Sequence, residues 1–130
     1  DFAHDLRHRQ WLGKSVLKKD PVSEAADFRR ASPLHRLHAE APPFFIVHGG
    51  NDGLACVEEA RHFAQSLAGI SNNPVAYGEL PFTQHAFEVF HSPRTQRVVQ
   101  GVERFLSHVY ARYRGGSGSP GAASKPRLEP

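Results

Sequence analysis

Pro43-Phe44-Phe45-Ile46-Val47-His48-Gly49-Gly50-Asn51-Asp52 changes character halfway along. Its first half is a short apolar run bounded by proline, the pattern of a strand covered on both faces in a parallel sheet. His-Gly-Gly-Asn-Asp then ends the strand, because such a cluster favours turns over extended pairing. From Val57 a helical pattern takes over. Val57, Ala60, Phe63, Ala64 and Leu67 recur at three- and four-residue steps. Glu58 and Glu59 occupy the first turn, where the helix dipole favours acids. The segment reads as strand, acidic loop, helix, with Asp52 just past the carboxyl end of the strand. Open α/β sheets carry their functional residues at that edge. An aspartate there is also a common turn former or helix cap, so by itself it decides nothing.

Downstream the unit repeats. Ala68-Gly69 is expected to close the helix, glycine being the usual stop residue, and Asn72-Asn73-Pro74 is a turn. Val75–Leu80 reads as a second, more polar strand of edge type, ended by Pro81. Phe82-Thr83-Gln84-His85-Ala86-Phe87 forms a loop. Ser92-Pro93 opens the most regular helix, with Val98, Val99, Val102, Phe105, Leu106, Val109 and Tyr110 as its apolar residues. The expected fold class is α/β, with parallel strands near 43–48 and 75–80 and helices near 57–67 and 93–112. A right-handed crossover makes the strands parallel near neighbours. Asp52 and His85 then leave the sheet on the same side. An acid beside an imidazole is the rear part of a Ser-His-Asp triad, in which the carboxylate orients the ring and the ring moves the proton. Histidine suits that work because its ordinary pKa of about 6.5 lies near working pH.

The remaining sequence sets bounds. A chain of 130 residues suits one domain or a piece of one. Residues 1–40 read as a helical and irregular lead-in, 41–113 as the α/β part, and 114–130 as a disordered tail. The tail is rich in Gly, Ser and Pro and cannot bury enough apolar surface to offset the entropy of ordering. Within the lead-in, a helix is expected around Leu6–Lys19, interrupted near Gly13. A second follows from Asp20 as N-cap, with Pro21 in its first turn, through Phe28 or Arg29. Ala31-Ser32-Pro33-Leu34 reads as a turn, and His35-Arg36-Leu37-His38 as irregular. His4 with His8, and His35 with His38, have the spacing of metal pairs but lack further ligands nearby, so all are read as surface histidines. No cofactor and no metal is expected. The single cysteine, Cys56, excludes a disulfide framework. It reads as a small residue at a helix start. The alternative, a Cys56/His85 nucleophile pair, rests on the lowered thiol pKa at helix N-termini. The net charge of +3 is scattered among acids, and no nucleic-acid partner is expected. No apolar run approaches the roughly 18 residues of a membrane span. The chain starts at Asp1 without a methionine, so a targeting signal is not legible and localisation stays open.

Taken in order, Pro42 through Leu54 with Val57-Glu58-Glu59-Ala60-Arg61, and then Glu79-Leu80-Pro81 with Gln84-His85-Ala86-Phe87, resemble the acid- and histidine-bearing segments of α/β-hydrolase esterases and lipases. The likeness is to the actinobacterial, mycobacterial-type group related to hormone-sensitive lipase, whose acid sits in an HGxxD-x-L pattern. Phe28-Arg29 with Ala31-Ser32-Pro33-Leu34 also resembles that group's lead-in. The resemblance runs from about Asp20 to about Tyr113. It implies that Asp52 is the triad acid and His85 the general acid/base, 33 residues apart. Chain order agrees, since that fold runs Ser, acid, His. The chain departs from the pattern at Gly53, Ala55 and Cys56, where proline and valine are common, and at Phe82, where glycine is. No G-x-S-x-G elbow fits anywhere, Gly116-Ser117-Gly118 included. His48-Gly49-Gly50 looks like an oxyanion motif but lies beside the acid, so it is rejected as one. His48 and His91 are read as packing or capping residues.

The resemblance therefore implies the C-terminal portion of a serine carboxylic-ester hydrolase, acting on an ester or lipid substrate in the intact protein. The nucleophile and oxyanion donors would belong to an N-terminal half of the fold outside this sequence, and the chain alone is expected to be inactive. The alternative is a catalytically inactive truncated hydrolase acting as a binding or dimerising module, self-associating through an exposed sheet edge.

Overall fold

The computed structural model describes residues 12–116. The His4/His8 pair, most of the expected first helix and nearly all of the expected tail lie outside these residues. Element order is a short wide helical turn at Leu12–Leu17, helix α1 (Ala25–Ala31), a 3-10 turn (Pro33–Arg36), strand β1 (Phe44–Gly49), helix α2 (Val57–Ile70), strand β2 (Val75–Leu80), a second 3-10 turn (Phe87–Val89) and helix α3 (Pro93–Gly116).

β1 and β2 pair in parallel, from Phe44 opposite Val75 to Gly49 opposite Leu80. Alternation along β1 sends neighbouring side chains to opposite faces, and the two phenylalanines display this directly. Phe44 meets Phe63 of α2 edge-on at 6.1 Å, while Phe45 stacks on Phe105 of α3 at 5.5 Å. One helix thus covers each face of the sheet. Gly101 makes room for the second contact, because a Cβ there would lie 3.2 Å from the Phe45 ring. The apolar residues of α3 divide into two stripes. Val98, Phe105 and Val109 are half-buried, while Val99, Val102, Leu106 and Tyr110 are exposed.

The buried apolar residues among those described are Phe28, Ala41, Ala64 and Leu67. The Pro33–Arg36 turn of the lead-in packs against α2. The lead-in is also tied to the α2–β2 turn: Asn72 N–H donates to the Ala39 carbonyl at 2.8 Å, and Asn73 Nδ2 to the Ala41 carbonyl at 2.8 Å. On the sheet side, Arg61 of α2 grips Glu79 of β2 through both carboxylate oxygens, at 3.0 and 2.8 Å.

Several boundaries differ from the sequence reading. Asp20 does accept the N–H groups of Val22 and Ser23 at 2.9 and 2.8 Å, but this closes a turn, and the helix begins only at Ala25. Lys19 pairs with both Glu24 and Asp27 and holds that turn against the helix start. Ala31 ends α1 instead of opening a turn, and Pro33–Arg36 is a 3-10 turn, with proline at its preferred first position. Of the expected helix through Leu6–Lys19, the described part holds a wide turn at Leu12–Leu17, and Lys18 and Lys19 are not helical. Gly69 does not stop α2. It has no positive φ, and the helix runs on to Ile70, with Ser71 N–H returning to the Leu67 carbonyl at 2.8 Å. α3 extends past Arg112 to Gly116, so the chain from 114 to 116 is helical and not tail. Ser92 caps α3 through its Oγ to Thr95 N–H at 3.1 Å.

Candidate active site

The two loops at the carboxyl edge of the sheet are stitched together by backbone. Gly50 N–H donates to the Leu80 carbonyl at 2.8 Å, and Asn51 N–H to the Thr83 carbonyl at 3.0 Å. These bonds carry the strand pairing beyond its last register pair and bring the acid loop onto the histidine loop. Gly49 permits the approach. A Cβ on it would clash with the Thr83 carbonyl oxygen and press on that of Gln84 at 3.0 Å. Thr83 is buried, and its Oγ1 donates to the Pro81 carbonyl at 3.0 Å, which closes the turn after β2. Gly50 spends its N–H on Leu80, so that group is engaged in the sheet edge and is not offered as an oxyanion donor.

Asp52 is anchored by both of its oxygens. Oδ1 accepts the N–H groups of Leu54 at 2.9 Å and Ala55 at 2.8 Å, the local turn that aspartate makes with the chain ahead of it. Oδ2 accepts the Nδ1–H of His85 at 2.8 Å. The carboxylate is 5% exposed and the imidazole 49%, so the acid is enclosed while the base reaches solvent. Burial pushes the Asp52 carboxyl up, but the bonds from Ala55 N–H, His85 and Leu54 N–H outweigh it and hold the group below its ordinary value. A carboxylate can only accept, so the neutral His85 carries its proton on Nδ1 and leaves Nε2 unprotonated. That is the tautomer of a general base. Ala86, in left-handed backbone at φ 55°, turns the chain sharply after His85. The pair borders a cavity of about 180 Å³ walled by Val47, Gln84, Phe87 and Glu88.

The structure thus brings Asp52 and His85 into contact. The Cys56 thiol donates to Glu58 Oε2 at 2.8 Å, a contact that opposes thiolate formation because the anion would face a like charge. Among the described residues no three His, Cys, Asp or Glu side chains gather to hold a metal ion, and no helix is long and apolar enough to cross a membrane. Two features escaped the sequence reading: the Gly49–Thr83 close approach and the Arg61–Glu79 bridge. The first had a signal, a glycine at the last position of a strand where a side chain was affordable only if nothing approached. The second had none, since opposite charges 18 residues apart are common.

No protein-family model matches the chain. It is 44% identical over 86% of its length to LipM of Mycobacterium tuberculosis, named a probable carboxylic ester hydrolase. It is 34% identical over 89% of its length to esterase LipQ, and 39% over 80% to esterase LipC, of the same organism. The chain spans only 26%, 28% and 26% of the length of these relatives. Among solved structures, a thermophilic esterase of the planctomycete Thermogutta terrifontis superposes with TM-score 0.57 at 25% identity, over 62% of this chain and 30% of that one. Its butyrate-bound form superposes with TM-score 0.62 at 22% identity, over 82% and 37%. Sequence likeness to the mycobacterial esterases and a shared parallel α/β framework together make the chain a member of the esterase/lipase family of α/β-hydrolases.

Proposed function

We propose that the chain supplies the acid and the base of a serine carboxylic-ester hydrolase, with the nucleophile and oxyanion donors contributed from outside these 130 residues. The observation that carries this reading is the 2.8 Å bond from His85 Nδ1 to the enclosed Asp52 carboxylate, which leaves Nε2 available. In the complete site Nε2 takes the proton of the serine hydroxyl as its oxygen bonds to the ester carbonyl carbon. The same proton passes to the alcohol oxygen as the C–O bond breaks and leaves an acyl-serine. Water repeats the sequence and releases the acid. Asp52 keeps the ring in register and stabilises its charged form throughout. A base without a nucleophile cannot form the acyl-enzyme. The purified chain is therefore expected to hydrolyse p-nitrophenyl esters no faster than buffer, and turnover abolished by His85→Ala would overturn the division of labour. Joined to the preceding segment of LipM, it should gain turnover that His85→Ala lowers by about 10³-fold or more. A folded, active chimera indifferent to that change would remove His85 from the mechanism.

A second reading, an inactive module that binds or dimerises, draws on the exposed Val99, Leu106, Tyr110 and Tyr113 of α3 and on the outer edges of the two-stranded sheet. A monodisperse dimer in size-exclusion chromatography is its expected signature, and a monomer counts against it.

A further inference from the structure

His48 stands one position before the end of β1, and the reaction sketched above makes no use of it. Its ring is 15% exposed and meets the Asp52 loop from the strand side. Nε2 lies 3.1 Å from the Ala55 carbonyl oxygen. A carbonyl can only accept, so Nε2 carries a proton and donates it there. Ala55 is also the residue whose N–H is held by Asp52 Oδ1 at 2.8 Å. The same residue is thus gripped at its carbonyl by the imidazole and at its N–H by the carboxylate. The strand end and the acid are thereby joined through the loop between them. Nε2 also lies 3.6 Å from Asp52 Oδ2, beyond hydrogen-bond distance. Oδ2 is the oxygen that accepts the hydrogen bond from His85 Nδ1–H.

We infer that His48 is a positioning residue for the acid–base pair: by holding the Ala55 carbonyl it keeps the 52–55 turn closed, so that Asp52 presents Oδ2 to His85. The inference rests on the assignment of Asp52 and His85 to catalysis, but its geometry can be tested without turnover.

Glutamine can place an amide N–H near the position of the imidazole Nε2, whereas asparagine is too short to do so. In the purified chain, His48→Gln should preserve the slow exchange of the Ala55 amide and the downfield NMR resonance of the His85 Nδ1–H that bonds Asp52. His48→Asn should speed that exchange and erase the downfield Nδ1–H resonance of His85, the proton bonded to Asp52 Oδ2. The other carboxylate bordering the cavity, Glu88, is untouched by either change. Equal behaviour of the two variants, whether both silent or both disruptive, overturns the inference. So does an Asn variant whose His85 Nδ1–H resonance stays in place while Ala55 exchange rises. Ester turnover in the LipM chimera that His85→Ala leaves unchanged, with the contrast between the two His48 variants intact, would count against the catalytic assignment and leave the positioning role standing.

Discussion

The carboxyl edge of the sheet and the outer face of α3 belong to the same small unit, and they are finished to different degrees. At the edge, the loop backbone and the acid of the candidate site find partners within the chain: Gly50 with Leu80, Asn51 with Thr83, and Asp52 with Leu54, Ala55 and His85. On α3 the side chains of Val99, Leu106, Tyr110 and Tyr113 stand 51%, 58%, 60% and 74% exposed. Hydrogen-bond geometry can be completed by two adjacent loops, because its partners need only a few ångströms and the right direction. Apolar burial needs area, and two strands with their flanking helices supply too little of it. The acid–base pair is therefore a local property of this chain, whereas the core is not.

Three changes probe that contrast. The largest effect should come from Gly49→Ala, which forces a carbon onto the Thr83 carbonyl oxygen and has to part the two loops. A loss of about 1–3 kcal/mol is expected in urea denaturation, with a weakened Asp52–His85 bond. Gly50→Ala, whose added carbon would stand 3.3 Å from the Leu80 carbonyl, should cost clearly less. Equal costs would mean that the close approach is not what holds the edge.

An intermediate effect is expected from acid. The Asp52 carboxyl is held below its ordinary value in the folded chain, so its contribution is present above the unfolded value of about 3.9 and is lost as pH falls through the folded one. Asp52→Asn should cost about 1 kcal/mol at neutral pH. Its stability should also decline less steeply than the parent's below about pH 4. Parallel pH profiles for the two chains would show that Asp52 is not the group being protonated.

The smallest effect belongs to the helix face. Leu106→Gln and Tyr110→Ser should each change stability by no more than about 0.5 kcal/mol, as at an uncovered surface. A loss well above that, varying with protein concentration, would show the face to be covered in solution by a second copy and would erase the contrast.

Much of the fold could be read from the residue pattern. The apolar run at Phe44–Val47 and the three- and four-residue repeats after Val57 and Ser92 carry the alternation of strand and helix, because period is set by backbone geometry. Element ends were less legible. Gly69 reads as a stop, yet α2 continues past it with the glycine in ordinary helical backbone, since a helix tolerates glycine at modest cost. Asp20 reads as a cap, and its bonds to Val22 and Ser23 do form, but they close a turn before the helix. The seven apolar residues named in α3 read as one set. Packing against Phe45 separates those that face the sheet from those that do not.

For the site, the sequence by itself determined the candidate residues and their order: an acid after one strand and a histidine after the next, 33 residues on. Residue type pointed to acid–base work, since histidine can hold and pass a proton near neutral pH. The meeting of the two residues was decided by tertiary structure alone. The bond at 2.8 Å depends on the register that sets Gly49 opposite Leu80, on the absence of a side chain at Gly49, and on two backbone bonds between loops far apart in the chain. The place of His48 was decided there as well. In the sequence it is a histidine beside two glycines, and only the turn of the chain at Asp52 brings the Ala55 carbonyl back to its ring. Distance between such groups is a property of packing, and a one-dimensional pattern does not contain it.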